Sequence, residues 1–474
     1  MRGKGRETDA PGTRTARDAV SETLHTERSS ELLNAPPARA IFRFALPLMA
    51  GGACQQIYAL TDAAVVGRVL GVDALSALGA CDLLVWLVGA ALSAFTQGFS
   101  IRLATAFGAD DRELFRRIAT TSAWLCAVCA VLLCTAAEIC APLILRAMQV
   151  QPEIWDYALT YLRTIYAGIP FLMFYHFFSG VLRAVGNSRD PLRAMLISSV
   201  LNIVLDIAVV VFLNGGIFGA AAATVFSQAI SAVYIACRVR KRLGTGKERL
   251  CFDRKLIRPM MCFSVLMTVQ TAVSAVGGLV VQAVVNTYSI PYIAGYAATN
   301  KLYGLLEFAA VSYGYAITTY TGQNFGAENK KRVQQGLLAG ECLALATAAC
   351  FSLIIFIADG PLVSVFLSGD AGDVAAALAV GRKFLRIMGV GMPMLYTTHL
   401  TRSFVQGLGH SALVTAASIA ELLIRLASAF TLRSLLGDDC VLYAEAFAWT
   451  IGTLLTGTGA VFYARRLSFP PRHR

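Results

Sequence analysis

In Leu201-Asn-Ile-Val-Leu-Asp206 an amide and a carboxylate lie four residues apart, a spacing that stacks them on one face of a helix. Such a pair suits a cation or a proton: Asn202 donates or accepts as required, while Asp206 loads and releases the positive charge. A polar clasp between two helices is the alternative reading. Asp62, in Tyr58-Ala-Leu-Thr-Asp62-Ala-Ala-Val-Val-Gly67, is either a second such carboxylate or a solvated residue at an apolar segment's edge. Glu307 lies in an apolar run, where it either attracts a cationic substrate or pairs with Lys301 or Arg402. Glu421 and Arg425 are spaced i, i+4 and are expected to neutralise each other as a structural pair. Arg402 needs an acid or backbone carbonyls. His176 and His399 have no His, Cys or acid at ligand spacing and read as packed or hydrogen-bonded histidines. Cys126 and Cys129 have CxxC spacing without a second pair, so no metal site is expected. There is no HExxH, GxSxG or Walker A, and Gly244-Thr-Gly-Lys247 lacks phosphate-loop spacing. These absences point away from an enzyme and from a cofactor, and toward an ion gradient as the energy source.

The elements that must hold these residues follow from composition. Of the 474 residues 56% are apolar and 15% charged, with a mean hydropathy of +0.61, far from the roughly 25% charge of a soluble domain. Apolar runs repeat near 41–67, 74–101, 118–145, 158–184, 191–213, 216–237, 259–287, 291–321, 335–358, 381–407, 412–436 and 440–463. This is the pattern of an all-α polytopic membrane protein with twelve spans. The cysteines within these runs, from Cys54 to Cys350, read as small buried hydrophobes. The net charge of +12 follows from cations kept in cytoplasmic loops and not from a nucleic-acid partner, because no basic run is interleaved with aromatics.

Sorting the loop charges fixes an orientation. One side holds the N-terminal tail, Arg112/Arg116/Arg117, Arg189/Arg193, the stretch Arg238 to Arg258, Lys330/Lys331/Arg332 and Arg465/Arg466; the other is nearly free of Lys and Arg and carries Asp359, Asp370, Asp373, Asp438 and Asp439. Both termini are therefore expected in the cytoplasm of a multi-pass plasma membrane protein, the bacterial inner membrane. The expected organisation is a disordered tail over 1–40, six spans over 41–237, a basic cytoplasmic linker over 238–258, six spans over 259–463 and a tail over 464–474.

The halves repeat. Residues 74–110 lie over 292–328 without a gap, ending Phe107-Gly-Ala-Asp110 against Phe325-Gly-Ala-Glu328. The stretch from Tyr161 lies over that from Phe384, superposing His176 on His399 and Pro170 on Pro393. The two prolines interrupt spans 4 and 10 at matching positions and are expected to act as hinges. Two halves of like orientation, related by an axis along the membrane normal, are a transporter architecture with a site between them near the midplane. In this register Asn202 and Asp206 fall on Arg425 and Ala429, so the carboxylate chemistry belongs to the first half alone.

Ala45-Leu-Pro-Leu48, Gln55-Gln-Ile-Tyr58, Thr61-Asp-Ala-Ala-Val-Val-Gly-Arg68, Gly186-Asn-Ser-Arg-Asp-Pro191, Gly216-Ile-Phe-Gly219 through Gln228 and Gly322-Gln-Asn-Phe-Gly-Ala327 resemble the multidrug and toxic compound extrusion (MATE) family, in its DinF-like branch, over about residues 41 to 465. The resemblance implies two pseudo-symmetric six-helix lobes in a V, and export of amphipathic, cationic organic compounds in exchange for H⁺ or Na⁺ by alternating access. It implies a coupling site in the first lobe at Asp62, Asn202, Asp206 and Thr224, with no other metal. Gln55, Tyr58, Gln270, Glu307 and Arg402 are the candidates for the substrate cavity. The partners implied are small organic molecules and the lipid bilayer, with the chain acting as a monomer. Span 7, with Val265-Leu-Met267 and Val269-Gln-Thr-Ala-Val273, lacks the usual proline and the acid of another branch, and Glu307 occupies a generally uncharged position. A flippase of lipid-linked saccharides is the competing class, but it would want clustered cations in the membrane for a pyrophosphate.

Overall fold

A computed structural model describes residues 31–243, 252–367, 371–431 and 437–467. The expected tails beyond these limits and the middle of the basic linker lie outside the described residues. Twelve span-length helical units run in order: α1 Pro37–Val69, α2 Val72–Gly108, α3 Arg112–Ala147, α4 in two pieces Pro152–Ala167 and Ile169–Ala184, α5 Arg189–Asp206 with its continuation Ile207–Phe212, α6 Gly216–Leu243, α7 Arg254–Val285, α8 Ile290–Gly326, α9 Lys330–Ser364, α10 Ala371–Gly407, α11 Ser411–Thr431 and α12 Cys440–Arg465. Eight of them are long and apolar enough to cross a membrane, nine when the two pieces of α4 count as one span. The three that fall short in apolarity are α1, α8 and α10, which carry Asp62, Glu307 and His399/Arg402.

Local chemistry marks the ends. Asp111 accepts from Leu114 N at 2.8 Å to open α3, and Asn329 accepts from Arg332 N at 3.1 Å to open α9. Just before these caps, Asp110 and Glu328 both take the left-handed conformation, φ 58° in each case. The repeated Phe-Gly-Ala-acid sequence thus ends α2 and α8 in the same way, after 37 residues in both. The N-terminal boundary is earlier than expected: Glu31–Asn34 is already helical, with Leu32 buried, and α1 starts at Pro37.

The helices bury two cores. One gathers Leu103, Leu145, Leu162, Met173, Leu182 and Ile235 from α2 to α6; the other gathers Ile317, Tyr320, Phe384, Tyr396, Leu400 and Val441 from α8 to α12. The lobes exchange helix ends. Ile41 and Phe44 of α1 pack in the second core, whereas Val66 packs in the first; Met260 of α7 packs in the first, whereas Val281 and Val285 pack in the second. Each linking helix therefore crosses from one lobe to the other, at the end where the cationic loops gather.

At that basic end α2 and α8 touch backbone to backbone. A Cβ on Gly108 would lie 1.9 Å from Gln323 O, and one on Gly326 would lie 2.0 Å from Thr105 O. Glycine is required at both positions because there is no volume for a methyl group.

The two matching prolines sit in differently shaped helices. α4 is broken at Gly168, before Pro170, by 44°, but α10 runs unbroken through Pro393. The carbonyl that Pro393 cannot engage, Gly389 O, accepts from Ser352 Oγ of α9 at 2.6 Å, and Met394 O accepts from Thr453 Oγ1 at 2.9 Å. The Ser352 hydroxyl thus satisfies the freed carbonyl and removes the reason to bend. α9 kinks instead, at Ala358 just ahead of Pro361. Cysteine burial is also corrected: Cys81 and Cys126 are buried, but Cys262, Cys342 and Cys350 stand on outward faces.

Candidate functional site

α5 delivers Asn202 and Asp206 on one face, with 2% and 0% exposure. Asp206 is the last residue of the α-helix proper; Ile207–Phe212 widens into a π-helix, a feature that often accompanies functional sites because it shifts side-chain register. The widened turn is held by the turn into α6 and its first residues: Gly215 N donates to Val209 O at 2.9 Å, and a Cβ on Gly215 or Gly219 would lie 2.7 Å from Val209 Cγ1. The small residues that open α6 thus seat the π segment. From α6, Thr224 Oγ1 accepts from Asn202 Nδ2 at 3.2 Å and donates to Ala220 O at 3.3 Å.

α1 supplies the other half. Asp62 is 8% exposed, so the solvated-edge reading does not apply, and its carboxylate lies within hydrogen-bonding reach of that of Asp206. Tyr58, one turn before Asp62, bonds to Gln55 and lies close to both carboxylates and to Tyr175 of α4. Gln55 and Tyr58, expected in the substrate cavity, thereby form a wall of the carboxylate site. Four buried oxygens of these three residues have no hydrogen-bond donor: Asp62 Oδ1, Asp206 Oδ1, Asp206 Oδ2 and Asn202 Oδ1. Buried acceptors are almost always satisfied, and two facing carboxylates in a medium of low dielectric repel strongly. The arrangement calls for a cation: a proton shared between the acids, or a hard metal ion that takes oxygen ligands. Among the described residues there is no group of three or more His, Cys, Asp or Glu suited to a larger metal site.

The second lobe has charges of a different kind, each already engaged. Glu307 Oε1 meets His399 Nε2 at 3.3 Å and bonds to Tyr303, not Lys301 or Arg402. Arg402 finds its acid in Glu421, Nη2 to Oε1 at 2.6 Å. The expected Glu421–Arg425 pair is therefore corrected: Arg425 makes a two-pronged bond with Glu445 of α12, at 3.0 and 2.9 Å. The i, i+4 rule weighs only one helix, whereas here each member turns to a neighbouring helix with better geometry. Gln270 Oε1 accepts from Gln406 Nε2 at 2.9 Å, within the lobe. His176 packs edge-on against Tyr175, with ring centroids 5.4 Å apart.

Arg183, near the end of α4, is missing from the candidates read from sequence. It is 7% exposed, donates from Nη2 to Gln97 Oε1 at 3.2 Å and lies 4.6 Å over the Tyr315 ring. The repeat contained a signal: Arg183 superposes on Gln406, a charged residue on a neutral one, the same asymmetry that marked Asp206.

Known proteins agree with this architecture. The MatE family model matches residues 47–208 and 265–431, more than half of the chain. The probable multidrug resistance protein YoeA of Bacillus subtilis strain 168 is 26% identical over 340 residues, which cover 70% of this chain and 73% of that protein. The probable multidrug resistance protein YpnP of the same organism is 26% identical over 394 residues, covering 82% and 85%. Among solved structures, the outward-facing conformation of a multidrug resistance MATE family transporter of the MOP superfamily superposes with a TM-score of 0.86 at 21% identity, over 94% of this chain and 99% of that one.

Proposed function

The chain belongs to the MATE family of multidrug efflux transporters, and on that premise we propose that it is a secondary antiporter whose coupling ion, H⁺ or Na⁺, binds at Asp62, Asn202, Asp206 and Thr224. One observation carries the reading: four buried acceptor oxygens on Asp62, Asn202 and Asp206, from α1 and α5, lack a donor. With a cation between them, Asp62 and Asp206 attract through it and hold α1 against α5; without it they repel. The ion therefore favours one arrangement of the first lobe, and a substrate that prefers the other competes with it through the shared equilibrium. The closure of α2 on α8 at Gly108 and Gly326 supports a molecule shut at its basic end. By the positive-inside rule that end is cytoplasmic, in the bacterial inner membrane. Alternating access then requires this contact to part.

The substrates are amphipathic organic compounds, held between the lobes by aromatic and apolar walls. The carboxylate site is built within one chain, so a monomer suffices. A lipid-linked pyrophosphate is not favoured, because it would want clustered cations, and Arg402 and Arg425 are engaged by Glu421 and Glu445, which leaves Arg183 without a second cation beside it. The test is dye efflux from liposomes under an imposed pH or Na⁺ gradient, wild type beside Asp206→Asn. Efflux driven by one gradient and lost in the variant supports the site, and undiminished efflux in Asp206→Asn removes it.

A further inference from the structure

Arg183 is unusual among the membrane-embedded arginines. Arg402 and Arg425 each bind a glutamate, yet among the described residues Arg183 has no carboxylate within 4.0 Å. Its surroundings from each packed element are neutral: Gln97 from α2, Tyr175 and His176 from its own helix, and Tyr315 from α8. Its Nε is buried with no hydrogen-bond partner. Tyr315, whose ring faces Arg183, meets Ser93 Oγ through its hydroxyl at 3.0 Å, one residue from each lobe. Ser93, Tyr175, His176 and Tyr315 are only partly buried. A guanidinium out of water with an idle N–H and no counter-charge is costly unless an anion reaches it.

We propose that Arg183, with the Tyr315 ring and hydroxyl beside it, forms a subsite for the anionic group, carboxylate or phosphate, of an organic substrate. The inference rests on the antiport reading in one respect. The coupling ion acts at the acidic site of α1 and α5, while Arg183 sets substrate choice. Anionic recognition would then belong to the first lobe alone, since the position equivalent to Arg183 is Gln406.

The test uses the full chain in liposomes and two matched probes, a rhodamine with a free carboxylate and its methyl ester. Equilibrium binding is read by fluorescence anisotropy, and efflux by an imposed gradient. Wild type should bind the free acid more tightly than the ester. Arg183→Gln should weaken the acid by about 10- to 100-fold, as expected for loss of a charge-assisted bond, with the ester within about twofold; Arg183→Lys should restore part of the preference. Equal binding of acid and ester by wild type overturns the proposal. So does a parallel loss of both dyes in the Gln and Lys variants, which would assign Arg183 to lobe closure through Tyr315. Asp206→Asn separates the two ideas: it should abolish gradient-driven efflux of both dyes while keeping the preference for the acid. If wild type moves neither dye under either gradient, the antiport reading fails while the binding preference still judges the subsite.

Discussion

Gly108→Ala is a one-methyl perturbation whose effect follows from the helix contact at the basic end. The added Cβ would lie 1.9 Å from Gln323 O, where ordinary contacts begin at 3.4 Å, so α2 and α8 must separate there by about 1.5 Å. The obstacle is a backbone carbonyl in a helix, and no rotamer change relieves it. Overpacking of this kind costs about 2–3 kcal/mol, which moves a two-state equilibrium about 30- to 150-fold toward the state in which this end is open. Helix propensity does not compete, since alanine is the better helix former. The assay is pulsed electron–electron distance measurement in lipid nanodiscs, with spin labels at Arg112 and Lys330, the exposed first residues of α3 and α9, in a cysteine-free background. Wild type should populate the short distance and Gly108→Ala the longer one. Gly304→Ala, with no atom within 4 Å of its new Cβ, is the silent control. An unchanged distribution in Gly108→Ala would refute the contact as the closing element.

Other consequences are local. Glu445→Gln leaves Arg425, 9% exposed at its side chain, without its charge partner and should cost about 3–5 kcal/mol; the joint change Arg425→Met with Glu445→Leu should recover most of the thermal stability in detergent, read by size-exclusion after heating. Ser352→Ala strands the Gly389 carbonyl that Pro393 leaves free and should lower stability by about 1–3 kcal/mol, while adding Pro393→Ala restores it. Asp253 caps α7 and is held below the usual carboxylate range, first by the Lys255 backbone N–H and then by Arg117. A depressed value gives stability that is fully present above the unfolded carboxylate range and is lost as the pH falls through the depressed folded-state value; unfolding curves of wild type and Asp253→Asn should therefore differ at neutral pH and converge only below the usual carboxylate range.

The span count, the repeat and the carboxylate site were legible because each is written along one helix or in an offset between halves. Asn202 and Asp206 share a face by spacing, and the register with Arg425 and Ala429 placed that chemistry in one lobe. What crosses between helices was not legible. Glu421 and Arg425 satisfy the i, i+4 rule, yet each has a partner on another helix, since packing decides which faces meet. Glu307 and His399 come together from α8 and α10 for the same reason. Pro393 carries the bending signal of Pro170, but its effect is cancelled by Ser352, a residue that proline chemistry alone does not point to. Arg183 was hidden by its place in the last turn of its helix, where a basic residue is ordinary.

The central claim is that the orphaned oxygens of Asp62, Asn202 and Asp206 bind the ion that drives export. Efflux from liposomes under a single imposed H⁺ or Na⁺ gradient, with wild type and Asp206→Asn prepared side by side, tests it most directly. The account predicts transport that follows one gradient and disappears in the variant, with the variant still folded by size-exclusion. Gradient-driven transport that survives in Asp206→Asn would contradict it.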